Sequence, residues 1–199
     1  MGKNILLPYL LDKRTKTIDY IFISHFDVDH CNGFIEVIKN LKVKNIVITK
    51  QAYLSEEYED IMNLVNQKKI NVLTCKVGDI IKIDNHTNME ILYANNKRGD
   101  LNNGSMVCKF TSKNFSILFT GDIEKETEMD IVKIYINTNK LKSNVLKVAH
   151  HGSKTSSTQE FLNLVKPEMA LIGVGQNNTF GHPNENVLER IENLRCKNL

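Results

Sequence analysis

A chain of 199 residues, 41% hydrophobic and 25% charged, is long enough to bury a sizeable core and reads as one globular domain over residues 1–199. Its formal charge of +3 permits a polyanionic partner without arguing for one, and no run approaches the ~20 apolar residues of a transmembrane helix. Cys31, Cys75, Cys108 and Cys196 are widely spaced with no Cys-x-x-Cys pair, which points to reduced thiols and a cytoplasmic location.

In chain order, the opening "MGKNILLPYL" has neither the apolar core nor the cleavage site of a signal peptide. The segments "IDYIFIS", "NIVIT", "NVLTC", "MEILYA", "MVCKFTS", "FSILFTG", "VLKVA" and "MALIGVG" predict strands, being short and rich in β-branched and aromatic residues. Phe34, Val37, Ile38 and Leu41 repeat at helical spacing, as do Tyr58, Ile61, Met62 and Val65, with Ser55 placed to cap the second helix. Further helices are expected around 124–136, 157–165 and 185–195. "SKN" suits a tight turn between "MVCKFT" and "FSILFTG". Strand–helix alternation at both flanks of a hairpin-rich middle predicts an α/β layered domain with mixed sheets.

The chemistry concentrates at strand ends. "FISHFDVDHCNGF" brings His25, Asp27, Asp29 and His30 into six positions after an apolar run. On loop or extended backbone the i and i+2 side chains point the same way and converge on one ion, while the adjacent Asp29 and His30 point elsewhere and hold a second. A polar surface turn is the bland alternative, and it favours Gly, Asn, Pro and Ser over His. "ILFTGDIEKE" ends a strand at Asp122, which is either a ligand or a helix N-cap; Glu124 and Glu126 read as helix-dipole partners only. "VLKVAHHGSKTSS" ends another strand at His150 and His151, and "TFGHPNENV" sets His182 in a loop before a helix. His86, in "DNHTN", reads as a surface histidine.

"SHFDVDHCNGF" resembles the metal-binding loop of the metallo-β-lactamase superfamily, His-x-His-x-Asp-His, with Asp27 in the second histidine position. Together with "NNGSMV", "LFTGDIE", "LKVAHHGSKTSS" and "FGHPNENVLERI", it is similar to the hydrolase domain of the ComEC/Rec2 group over roughly residues 15–195. The resemblance implies an αββα sandwich. The family carries one or two strands ahead of the segment matched by "ILLPYL", so it also implies a fold without those first strands.

Carried over by position, His25 and Asp27 bind a first metal, Asp29 and His30 a second, Asp122 bridges them, and His150 completes the second site. His151 is the alternative ligand or a hydrogen-bond partner. Asp29 and His182 are the candidate catalytic residues, and His151, Ser153, Lys154 and His182 the candidate substrate contacts. Backbone N–H groups and hydroxyls of Gly152, Ser153, Thr155 and Ser156 are expected to hold a phosphate at the start of the next helix. Where many members have a further histidine, this chain has "LNNGSMV", which leaves the first metal few ligands.

Two divalent cations, three carboxylates and one bridging hydroxide sum to about zero charge, a site that accepts an anionic phosphodiester. Asp27 in place of a histidine hardens the site toward manganese or magnesium, with zinc still open. The reading is a metal-dependent phosphodiesterase, a nuclease on DNA, working through a metal-bridged hydroxide. The alternatives are hydrolysis of a lactam, lactone or thioester, and a catalytically silent binding domain. No basic patch interleaved with aromatics is present, so base stacking is not expected.

Overall fold

The structure, a computed structural model, describes residues 1–50, 55–94, 100–194 and 197–198. The chain folds as two compact units, Met1–Cys75 and Lys76–Leu199.

In the first unit, β1 (Thr17–Phe22), β2 (Lys42–Thr49) and β3 (Asn71–Cys75) form a parallel sheet in that order. Parallel neighbours need crossovers, supplied by α2 (Val28–Asn40) and α3 (Glu56–Lys68). The central strand is buried along its last four residues, as a parallel strand covered on both faces must be. Ile21, Ile46, Val37, Ile38, Ile61 and Val65 belong to one core cluster. Ser55 caps α3 as expected, its Oγ accepting the Tyr58 N–H at 3.2 Å. The chain opens with a π-helical turn, Gly2–Leu6, that runs into α1 (Leu7–Asp12). Gly2 lies against Gly33 of α2 so closely that a Cβ there would sit 2.5 Å from the Gly33 carbonyl oxygen.

The second unit is a seven-stranded mixed sheet. The strands β4 (Ile80–Lys82), β5 (Thr87–Tyr93), β6 (Val107–Ser112) and β7 (Phe115–Phe119) pair antiparallel. Beyond β7, the strands β8 (Val145–Lys147), β9 (Met169–Leu171) and β10 (Lys197–Asn198) add in parallel. The expected hairpin is there: Ser112 pairs with Phe115 across two residues, with Lys113 at φ 52°. α4 (Lys125–Tyr135), α5 (Gln159–Val165) and α6 (Glu185–Asn193) supply the helices, and Leu92, Leu118, Ile131, Leu146, Phe161 and Ile191 are in one core cluster.

Each of the eight segments predicted as strands contains one. β4 and β10, at three and two residues, are too short to show a period and were not anticipated. Residue 195, the expected end of α6, and Cys196 lie outside the described residues. Cys31 and Cys108 are buried thiols; burial pushes both up to about 12, with Glu57, Asp27 and Asp29 adding to the effect on Cys31. His86 is exposed in the β4–β5 turn, its N–H donating to Asp84 at 2.7 Å. Among the described residues no helix is long and apolar enough to cross a membrane.

Candidate functional site

In the first unit the motif begins where β1 ends. Ile23 continues along the strand direction, its N–H donating to the Val47 carbonyl at 3.0 Å. Ile23, His25 and Phe26 are each 1% exposed, and Phe26 packs edge-on against Tyr58 at 4.9 Å. Apolar burial on either side therefore fixes the backbone at His25.

The expectation that residues 27–30 lie on a loop is corrected here. Asp27 is the N-cap of α2, its Oδ1 accepting the Val28 N–H at 2.7 Å, and Asp29 and His30 lie in the first helical turn. The cause is local: an aspartate before a helix satisfies an orphan N–H, and a second acid in the first turn meets the positive end of the helix dipole. The helix also changes which groups share a side. The rings of His25 and His30 come within 4.2 Å between centroids and offer ring nitrogens within 4.8 Å of each other. Asp29 Oδ2 is 3.7 Å from His30 Nε2. His25 Nδ1 is 3.0 Å from Ser24 Oγ, which makes Nε2 the candidate ligand atom.

In the second unit Asp122 is 4% exposed and does not cap a helix; the N-cap of α4 is Glu124. The "NNGS" segment now has a role that the sequence did not reveal. Ser105 Oγ accepts the Asp122 N–H at 3.0 Å, and Asn103 Oδ1 accepts the Glu124 N–H at 3.2 Å. Both bonds fix the backbone that carries Asp122.

His150 and His151 follow β8 with φ of 47° and 54°, two consecutive left-handed residues outside glycine. Each costs about 1–2 kcal/mol, strain of the kind that collects at functional sites. Turn bonds hold them, His150 N–H to the Gly121 carbonyl at 3.2 Å and Ser153 N–H to the His150 carbonyl at 2.8 Å. The two rings have different partners. His151 Nδ1 is 2.5 Å from the Gly173 carbonyl oxygen, and its Nε2 is 3.4 Å from Asp122 Oδ2. A carbonyl only accepts, so Nδ1 carries a proton and Nε2 of the neutral ring is the donor atom for a cation. The Asp122 carboxylate is the main influence that raises the His151 pKa above its ordinary value. His150 Nδ1 is instead 3.2 Å from Glu124 Oε1, and its ring centroid is 5.8 Å from that of His182.

Glu124, read from sequence as a dipole partner, thus contacts His150 and also accepts from Thr155 Oγ1 at 2.9 Å. Ser153 is 5% exposed, with its Oγ 3.0 Å from Thr155 Oγ1. Ser156 Oγ donates to the Ile123 carbonyl at 2.8 Å. These hydroxyls work inside the loop, and α5 begins only at Gln159, after the cap residue Thr158. Lys154 is exposed. His182 is half-buried, its pKa lowered by burial and then by His150 and His151, and its Nδ1 has no hydrogen-bond partner among the described residues. Imidazole nitrogens and carboxylate oxygens grouped in this way fit divalent cations.

The His150 and His182 loops are packed through Gly152, at φ 79°, where an added Cβ would lie 2.8 Å from Pro183 Cβ and 3.2 Å from its Cα. Gly152→Ala is therefore expected to cost about 1–3 kcal/mol in urea denaturation, because it adds both a clash and a left-handed penalty.

The profile of the metallo-beta-lactamase superfamily matches residues 2–175. ComE operon protein 3 of Bacillus subtilis (strain 168) is 31% identical over 96% of this chain and 24% of its own length. Competence protein ComA of Neisseria gonorrhoeae is 31% identical over 94% of this chain and 24% of its own. Recombination protein 2 of Haemophilus influenzae is 28% identical over 98% of this chain and 22% of its own. The chain thus spans about a quarter of the length of these relatives.

Among solved structures, CmlA, a diiron beta-hydroxylase from Streptomyces venezuelae, has a TM-score of 0.61 at 10% identity, covering 92% of this chain and 43% of that one. Zn(2+)-bound PqqB from Methylobacterium extorquens has a TM-score of 0.51 at 7% identity, covering 92% and 68%. At these identities the likeness is one of fold. Profile, relatives and fold agree: the chain belongs to the metallo-β-lactamase superfamily, among its ComEC/Rec2-like members.

Proposed function

We propose that the chain is a metal-dependent phosphodiesterase, acting as a nuclease on DNA. The observation that carries this reading is Asp27, a carboxylate where the superfamily motif has histidine. Asp27 and Asp29 in the first unit and Asp122 in the second are carboxylate donors, a ligand type suited to manganese, magnesium or zinc. Competence and recombination in the names of the relatives point the same way.

In this reading His25, Asp27, Asp29 and His30 are ligands from the first unit, and Asp122 is a ligand from the second. Within the second unit His151, rather than His150, is the ligand beside Asp122, because its Nδ1 is engaged by the Gly173 carbonyl and its Nε2 is 3.4 Å from Asp122 Oδ2. Bound divalent cations supply Lewis acidity toward the phosphoryl oxygens and lower the pKa of water to about 7. Ser24 and the Gly173 carbonyl orient the rings of His25 and His151. Glu124 holds His150 beside His182. His182, its pKa lowered mainly by burial, donates an N–H hydrogen bond to a phosphate oxygen. Lys154, exposed on the same loop as His151, adds a positive charge for the substrate backbone.

Metal analysis and a three-substrate assay test this. Single-stranded DNA and a chromogenic phosphodiester are expected to be cleaved with Mn²⁺, Mg²⁺ or Zn²⁺, with EDTA abolishing turnover and added metal restoring it. Turnover of a chromogenic β-lactam without phosphodiester cleavage would overturn the reading.

A further inference from the structure

We propose that Phe180 forms a nucleobase-stacking subsite beside His182, and that the preferred substrate is consequently a single strand or an unpaired strand end. The proposal rests on the reading of the site as one that acts on phosphodiesters, and it assigns the neighbour of the bound phosphate. Phe180 is 80% exposed; among the described large hydrophobic residues only Met1 is more so. Its ring is nearly parallel to that of His182, 20° between planes and 6.0 Å between centroids.

The loop that carries the pair is built rather than loose. Asn178 clamps the backbone of His182 from both sides, its Nδ2 donating to the His182 carbonyl at 2.8 Å and its Oδ1 accepting the His182 N–H at 3.0 Å. Asn178 N–H in turn donates to the Gly175 carbonyl at 3.1 Å. Gly181, at φ 71°, makes the bend that sets the two rings side by side. A large apolar ring is thus held in water next to the histidine assigned to the phosphate.

A nucleobase fits that position chemically. It presents a flat π-face a short distance from its own phosphate, and stacking on an aromatic is tolerant of sequence because every base has such a face. Bases inside a duplex are already stacked on both sides, so an unpaired base is the one able to use Phe180. Base stacking is not expected from the sequence, because Phe180 stands alone among Gly, Asn and Thr instead of alternating with basic residues.

The test is binding of a short phosphorothioate thymidine oligonucleotide, which resists hydrolysis, and of the same oligonucleotide with abasic sites. Both are measured by fluorescence anisotropy with Mn²⁺ for wild type, Phe180→Ala and Phe180→Trp. Phe180→Ala is expected to bind the base-bearing strand about tenfold more weakly and the abasic strand about as well as wild type does, with Phe180→Trp restoring affinity. Equal binding by wild type and Phe180→Ala, an equal loss on both strands, or no binding by wild type would each overturn the proposal. Cleavage of unmodified DNA, assayed alongside, separates the two readings. The stacking pattern without cleavage removes the nuclease and keeps the subsite, whereas cleavage without the pattern does the reverse.

Discussion

Asp122→Ala is expected to lower phosphodiester turnover by more than about 100-fold and to reduce bound metal in elemental analysis. The magnitude follows from position. Groups that only orient a ligand cost about 10–100-fold in affinity or activity when removed, so a carboxylate assigned to the metal itself must cost more. The fold should survive, because what anchors this segment is backbone: the Asp122 N–H is held by Ser105 Oγ and the Glu124 N–H by Asn103 Oδ1. The Asp122 side chain caps no helix, and α4 starts from Glu124. Glu124→Gln is the graded companion. It contacts His150 and Thr155 without being assigned as a ligand, so a loss of about 10–100-fold is expected. Turnover by Asp122→Ala at the wild-type rate, in protein with a native circular dichroism spectrum, would remove the metal mechanism.

The parts of this fold that were legible in the sequence are those whose burial imposes a period. Segments such as "NVLTC" and "FSILF" are strands, and Ser55 with Tyr58, Ile61 and Val65 marks a helix and its cap. The candidate ligands were legible as residue types but not as a conformation. The same Asp27 and Asp29 that suggest a metal loop are also the cap and first-turn acids of a helix, and the helix is what formed. Sequence also left His150 and His151 undecided. Both are left-handed, so neither strand nor helix periodicity says which ring meets Asp122; that depends on Gly173, which arrives from more than twenty residues away. Ser105, Asn103 and Glu124 act through single hydrogen bonds or contacts across similar separations, which leave no pattern in the sequence.

Glu128→Ala is expected to destabilise the protein by about 3–5 kcal/mol in urea denaturation, although Glu128 is not assigned to the site. Its side chain, on α4, is fully buried, and its two carboxylate oxygens accept the N–H groups of Ser157 at 2.6 Å and Thr158 at 2.7 Å. Ser157 is itself left-handed at φ 57°, and Thr158 caps α5, so one carboxylate holds a strained residue and the start of a helix. Removing it leaves two donors without acceptors in the interior.

The pH dependence separates burial from hydrogen bonding. Burial raises the Glu128 pKa above the ordinary 4.5, outweighing the pull of the Thr158 and Ser157 N–H groups and of Arg190. The folded protein therefore keeps the Glu128 proton to higher pH than the unfolded chain does. Between those two values the folded state binds more protons, so this residue's contribution falls as pH rises. Glu128→Gln, which cannot titrate, gives the reference. The stability advantage of wild type over Glu128→Gln is expected to be largest below pH 4.5 and to shrink as pH rises through the folded-state value. An advantage that grows with pH would mean that the two N–H bonds outweigh burial and that the carboxylate is held ionised.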